Sequence, residues 1–215
     1  MKKILKILPI LAFFLLIIET VPVKSELISD NFYFLEDELI NAGDFIENGV
    51  RVEYSSKNNL ENELLVIKKN LSDLFKEDVY IDNNTIFFSD DQRDIKVLVW
   101  SSEEETKVQI TYINNKKECT IRKMIKEMEQ IQYFAAENIK YFNFVKVKII
   151  EEKKQDILDT LKENIEEKTL EELDIVNGKI GKGKLKDKNK INFSFMSYDT
   201  GEYLIIGTPV IFITY

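Results

Sequence analysis

The residues best equipped for chemistry are acids. Runs of adjacent carboxylates occur at Glu103-Glu104-Glu105, Glu151-Glu152, Glu166-Glu167 and Glu171-Glu172. A glycosidase holds two carboxylates across one bond at a defined separation. Neighbouring glutamates on a helix or turn point apart and solvate, so these runs read as charged surface. Asp82-Asn83-Asn84 and Ser89-Asp90-Asp91 supply oxygen ligands near turns. Neither is followed by the spacing of a calcium loop, and turn formation accounts for both. The stretch Gly178-Lys179-Ile180-Gly181-Lys182-Gly183-Lys184 invites a phosphate-loop reading. Its spacing is wrong, and strands rather than a helix flank it. With Lys186, Lys188 and Lys190 it is the most basic stretch after the N-terminal region, and a contact with an acidic wall polymer or lipid through Lys179, Lys182 and Lys184 is the functional expectation.

What is missing narrows the chemistry. The chain has no histidine and one cysteine, Cys119. Hydrolysis through a histidine base and histidine-ligated metal sites are therefore excluded. A lone cysteine forms no internal disulfide and builds no structural zinc site, so Cys119 is expected as a small buried apolar residue. The expected set of catalytic residues, metal ligands and cofactors is empty. Carboxylate chemistry, lysine chemistry and oxygen-ligated cations remain open.

Hydrophobic periodicity supplies the elements that would position any site. Asp30 to Glu47 reads as a helix with Phe34, Leu35, Leu39, Ala42, Phe45 and Ile46 on one stripe, stopped by Gly49. Val50 to Tyr54 alternates as a strand, and Ser55 and Ser56 are candidate caps for a helix carrying Leu60, Leu64, Ile67, Leu71 and Leu74. A hairpin around Asn83-Asn84 and strands at Ile95–Trp100 and Lys107–Ile113 follow. The order then restarts. A helix is expected from Thr120 to about Tyr141, a strand from Phe144 to Ile150, a helix from Gln155 to Lys168, a hairpin around Asn177-Gly178, and strands at Ile191–Tyr198 and Glu202–Ile206.

Helix–strand–helix–hairpin–strand–strand thus occurs twice. Val50-Arg51-Val52-Glu53-Tyr54 lies over Val145-Lys146-Val147-Lys148-Ile149, and Ile95, Val97 and Val99 lie over Ile191, Phe193 and Phe195. The expected organisation is a signal peptide at 1–25, a first α+β half at 26–117 and a second at 118–215. Each half would supply about four antiparallel strands and two helices. Together they would form one curved sheet with helices on one side and the other face partly open. Leu98 and Trp100 from one half, with Met196 and Tyr198 from the other, should then share the open face as an apolar patch near its centre, a candidate binding site.

The ending resembles that of the YwmB family of exported firmicute proteins, whose members are often labelled TATA-box binding. The resemblance lies in Ile191-Asn192-Phe193-Ser194-Phe195, Ser197-Tyr198-Asp199, Gly201, and above all Ile206-Gly207-Thr208-Pro209. It covers about 25 residues, together with overall length, signal peptide and element order. Phe212-Ile213-Thr214-Tyr215 departs from it, because an acidic residue is expected before the final tyrosine. The resemblance implies a doubled α+β saddle similar to the TATA-binding protein. It supplies no catalytic residues, and it suggests a link to the envelope or to sporulation.

The N-terminus argues for export. Lys2, Lys3 and Lys6 precede an apolar run from Ile7 to Ile18. Twelve helical residues rise about 18 Å, against roughly 30 Å of bilayer hydrocarbon. This is a signal-peptide core, with cleavage expected between Ser25 and Glu26. An uncleaved anchor extended through Val23 is the alternative, against which Glu19 and Pro22 argue. Residues 1–25 carry four lysines and one glutamate, so their loss moves the net charge from −8 to −11. Polyanions are repelled by such a chain, which disfavours nucleic acid as a partner. The expectation is a secreted or envelope-associated, noncatalytic binding or scaffolding protein. Its partner would be a wall polymer or an envelope protein, and it would keep no membrane span after cleavage. A carboxylate-based wall enzyme is the rival.

Overall fold

The computed structural model describes residues 29–103, 105–132 and 135–213. The expected signal peptide with its expected cleavage point, and Phe134 of the expected helical stripe, fall outside the described residues. Helix α1 (Asp30–Ala42) is capped by Ser29, whose hydroxyl accepts from the Phe32 N–H at 2.9 Å. Strand β1 (Asp44–Ser56) leads to α2 (Leu60–Phe75), then β2 (Tyr80–Asp82), β3 (Thr85–Ser89), β4 (Arg93–Ser102) and β5 (Glu105–Asn114). Helix α3 (Ile121–Ile131), β6 (Glu137–Lys148), α4 (Lys154–Asn164), β7 (Glu171–Ile175), β8 (Gly178–Lys184), β9 (Lys190–Tyr198) and β10 (Gly201–Thr208) follow among the described residues.

The ten strands among the described residues form one antiparallel sheet in the order β2-β3-β4-β5-β1-β6-β10-β9-β8-β7. The fold is a mixed α+β arrangement in which residues 44–114 supply one five-strand wing and residues 137–208 the other. Strands β1 and β6 meet at the centre, from Asp44 opposite Lys148 to Ser55 opposite Glu137.

Period-two alternation separates the two sheet faces. In β5, Val108, Ile110 and Tyr112 are buried while Lys107, Gln109 and Thr111 are partly exposed. The buried face joins Val50, Val52, Ile95, Val97, Val145, Val147, Leu204 and Ile206 to the helix stripes Phe32–Leu35–Leu39, Leu64–Ile67–Leu71, Met124–Met128 and Ile157–Leu161 in a single core. Fully burying such a side chain stabilises by about 1.5–3 kcal/mol. One face of the sheet is therefore built to hold the helices, and the other is left for something else.

Three sequence expectations are corrected at the sheet's centre. Helix α1 ends at Ala42, not Glu47, because Gly43 is pressed against β6: a Cβ there would lie 2.9 Å from the Lys148 carbonyl oxygen. Phe45, which fits the helical stripe, instead sits in β1 opposite Val147. Ser55 and Ser56 end β1, and Asn59 caps α2 by accepting from the Asn62 N–H at 2.9 Å. Helix α3 stops at Ile131, and β6 begins at Glu137 rather than Phe144, since it pairs along nearly all of β1. No helix among the described residues is long and apolar enough to cross a membrane.

Candidate ligand-binding face of the sheet

The helix-free face is crossed at its centre by the C-terminal segment. After the cis Thr208–Pro209 peptide, the chain turns back over β10, β6 and β1. The Asn192 side chain, on β9, donates to the Pro209 carbonyl. Gly207 faces Ile211, and a Cβ at this glycine would meet Ile211 at 2.8 Å. The Phe212 ring stands edge-on to Phe144 at 5.2 Å. Arg51, on β1, lies 4.5 Å from the centroid of the Phe212 ring and donates to its carbonyl at 3.3 Å. Gly49 leaves the hollow that Phe144 fills: an added Cβ would approach the ring to 2.3 Å.

Beside this strap runs an open groove of about 510 Å³. Val210 and Ile211 form one wall, and Leu173 on β7 with Ile180 on β8 forms the other. Asn192 and the Lys182–Glu171 ion pair, at 3.0 Å, edge it. Leu173 is 62% exposed and Val210 46%, so the walls present apolar surface to whatever enters. Lys184 pairs in register with Lys190, one alternation beyond the Lys182–Asn192 pair and on the same face. Neither makes an ion pair among the described residues.

Against the predicted site, the outcome is mixed. Leu98 and Trp100 do lie on the helix-free face, on β4, and Met196 and Tyr198 lie on the same face of β9. They do not form one central patch. Five inter-strand steps separate β4 from β9, roughly 24 Å at about 4.8 Å each. Trp100 belongs to one wing with Phe87 and Tyr80, which are opposite each other across β2 and β3. Tyr198 packs with Tyr203 at 5.8 Å on the other. The lysines divide too. Lys182 and Lys184 face the groove side, whereas Lys179 pairs with Phe195 on the helix side and meets Glu172 at 3.3 Å. The strap is absent from the sequence expectations. Its sequence signal is the apolar run Val210-Ile211-Phe212-Ile213, which follows Pro209 after the last strand.

A second cavity, of about 330 Å³, lies on the helix side between α4 and the β8–β9 wing. Glu172, Asp174 and Glu202 line it alongside Lys154, Lys162 and Lys179. Its carboxylates are matched to lysines: Lys154 meets Glu202 at 2.6 Å and Lys179 meets Glu172.

The buried acids belong to the frame. Glu63 accepts from Tyr54, Ser56 and Asn58, which ties α2 to the end of β1. Glu36, 1% exposed, accepts from the Ile121 N–H at 2.8 Å and from Asn48 at 3.1 Å. Burial pushes its carboxyl up to about 7, against which the two hydrogen bonds act in part. Asn48 also donates to the Cys119 carbonyl and accepts from Asn114. Cys119 is buried, as expected from its sequence setting, and burial raises its thiol above the ordinary range. Among the described residues no cluster of three acids or cysteines is arranged to hold a metal.

No family model matches the chain. No curated protein matches it either. Among solved structures, the chain is similar to DynU16, from the dynemicin biosynthetic locus, at 8% identity and a TM-score of 0.24, over 75% of this chain and 86% of that one.

Proposed function

We propose that this is an exported, noncatalytic binding protein of the cell envelope, which uses the helix-free face of its sheet. The observation that supports this reading is the groove of about 510 Å³ between the C-terminal strap and β7–β8. Pockets of this size with apolar walls and a few polar groups suit ligand binding. The rival reading, a carboxylate-based wall enzyme, would need acids free to act in a cavity. Glu202 and Glu172 are instead paired with lysines, and Glu36 and Glu63 are held in internal hydrogen bonds.

The strand order also supports a duplicated, saddle-like architecture of the kind the YwmB resemblance implies. Each half runs helix, strand, helix, four strands, and its long first strand lies at the sheet's centre. Export itself rests on Lys2, Lys3, Lys6 and the apolar run that follows. A net charge of −8, or −11 after cleavage, weighs against a nucleic acid ligand.

The test is sedimentation. The protein recovered after expression of the full chain is mixed with purified bacterial cell walls and spun across a salt series. Pelleting that salt reverses supports wall binding through the lysine-rich β8–β9 region. Protein that stays in the supernatant at every salt concentration overturns wall affinity.

A further inference from the structure

We infer that Asn143, on the helix side of the central strand β6, belongs to an internal water-binding site in which ordered water bridges its side-chain amide to Thr208. The site is independent of the proposed binding face, which lies on the other side of the sheet. Asn143 shares its face of β6 with Val145 and Val147 of the core and is fully buried. Neither its amide nitrogen nor its oxygen has a hydrogen-bond partner among the described residues. Buried polar groups in folded proteins are paired with protein or with ordered water, because a bare one has lost its hydration for nothing.

The first half shows how such an asparagine is satisfied by protein. The alignment of Val50 with Val145 places Asn48 over Asn143. The sheet preserves that relation: Asn48 lies opposite Val145 and Asn143 opposite Val50, so the two are diagonal neighbours on one face. Asn48 faces Asn114 on β5 and accepts from it at 2.8 Å. It donates to the Cys119 carbonyl at 2.8 Å and to Glu36 at 3.1 Å. In the second half Thr208 on β10 stands where Asn114 stands, opposite Asn143. Its shorter side chain gives its proton to the Lys190 carbonyl at 2.7 Å, which leaves the hydroxyl oxygen able only to accept. Glu36 has a counterpart too. Glu127 lies as far past the cap Thr120 as Glu36 lies past the cap Ser29, but it accepts from the Tyr112 hydroxyl at 2.8 Å. Every side chain that satisfies Asn48 is therefore shorter, or directed elsewhere, around Asn143. Water supplies what they do not. It accepts from Asn143 Nδ2 and donates to Thr208 Oγ1, and a further water proton goes to Asn143 Oδ1.

A crystal structure of the protein recovered after expression of the full chain tests the site. Ordered water should lie about 2.7–3.2 Å from the Asn143 side chain and from Thr208 Oγ1. An Asn143 amide bonded only to protein groups, or one with no water in reach, overturns the proposal. Urea midpoints of two variants give a second reading. Asn143→Leu removes an amide on which no protein group depends, so its midpoint should equal or exceed that of the parent. Asn48→Leu takes a partner from Asn114, Glu36 and the Cys119 carbonyl, and its midpoint should fall. If Asn143→Leu falls as far as Asn48→Leu, Asn143 is held by protein and the water site is overturned.

Discussion

Arg51 and Phe212 join the centre of the sheet to the end of the chain. The guanidinium lies 4.5 Å from the ring centroid and one of its nitrogens donates to the Phe212 carbonyl. The same ring rests edge-on against Phe144 of β6. Arg51 is thus the clasp of the strap, and burial lowers its basicity below the ordinary arginine range.

Arg51→Met should release that clasp while keeping the length of the side chain. A partly desolvated cation–π contact is worth about 1–2 kcal/mol. Backbone NMR order parameters of residues 210–213 should fall, while amide exchange in β1 and β6 stays slow. Faster exchange throughout the sheet would mean that Arg51 supports the core rather than the strap.

Gly49→Ala probes the same device from below. The added methyl would meet the Phe144 ring at 2.3 Å and the Ile113 side chain at 2.9 Å, in the middle of a central strand. Overpacking of this kind costs about 1–3 kcal/mol. Displacing Phe144 removes the surface on which Phe212 rests, so the variant should combine a lower urea midpoint with lower backbone order parameters at 210–213. A midpoint unchanged from the parent would show that the ring has room to move.

How much of this was legible in the residues depends on what each pattern depends on. The strands of the wings were readable because one face is buried and one is wet, as in Ile95-Lys96-Val97-Leu98-Val99. The ends of α1 and α3 were not, because the stripe Leu39–Ala42–Phe45–Ile46 is equally helical or extended in isolation. Long-range pairing of β1 with β6 decided it. The candidate site failed in a different way. Parity correctly put Trp100 and Tyr198 on one face, but parity says nothing of strand order, and four strands lie between β4 and β9. Lys179 and Lys182 differ by an odd number of positions, so alternation alone could have placed them on opposite faces. A strap without regular structure has no period to read.

Cys119 should be chemically silent in the folded protein. It is 8% exposed, its thiol is raised mainly by burial, and its sulfur lies 3.9 Å from the Tyr112 hydroxyl. A thiol reagent at pH 8 should label it at least about 100-fold more slowly than in urea, with labelling limited by opening of the structure. Fast labelling without denaturant would place the thiol at the surface and would contradict the packing of α3 against β5.

Glu36 makes stability depend on pH. Its carboxyl is raised from an ordinary 4.5 to about 7 by burial between α1 and the start of α3. The folded protein therefore keeps a proton that the unfolded chain releases in this window. Stability associated with the group is fully present below 4.5 and is lost as pH rises through 7. The loss on ionisation is about 3 kcal/mol. Glu36→Gln keeps an oxygen to accept from Ile121 and Asn48 and removes the titration. Urea midpoints at pH 5 and pH 8 separate the cases. The parent should be less stable at pH 8, and the glutamine variant should show a smaller difference between the two. An identical pH dependence in both proteins would mean that Glu36 is ionised across the range, stabilised by the α3 N-terminus and Asn48 more strongly than burial opposes it.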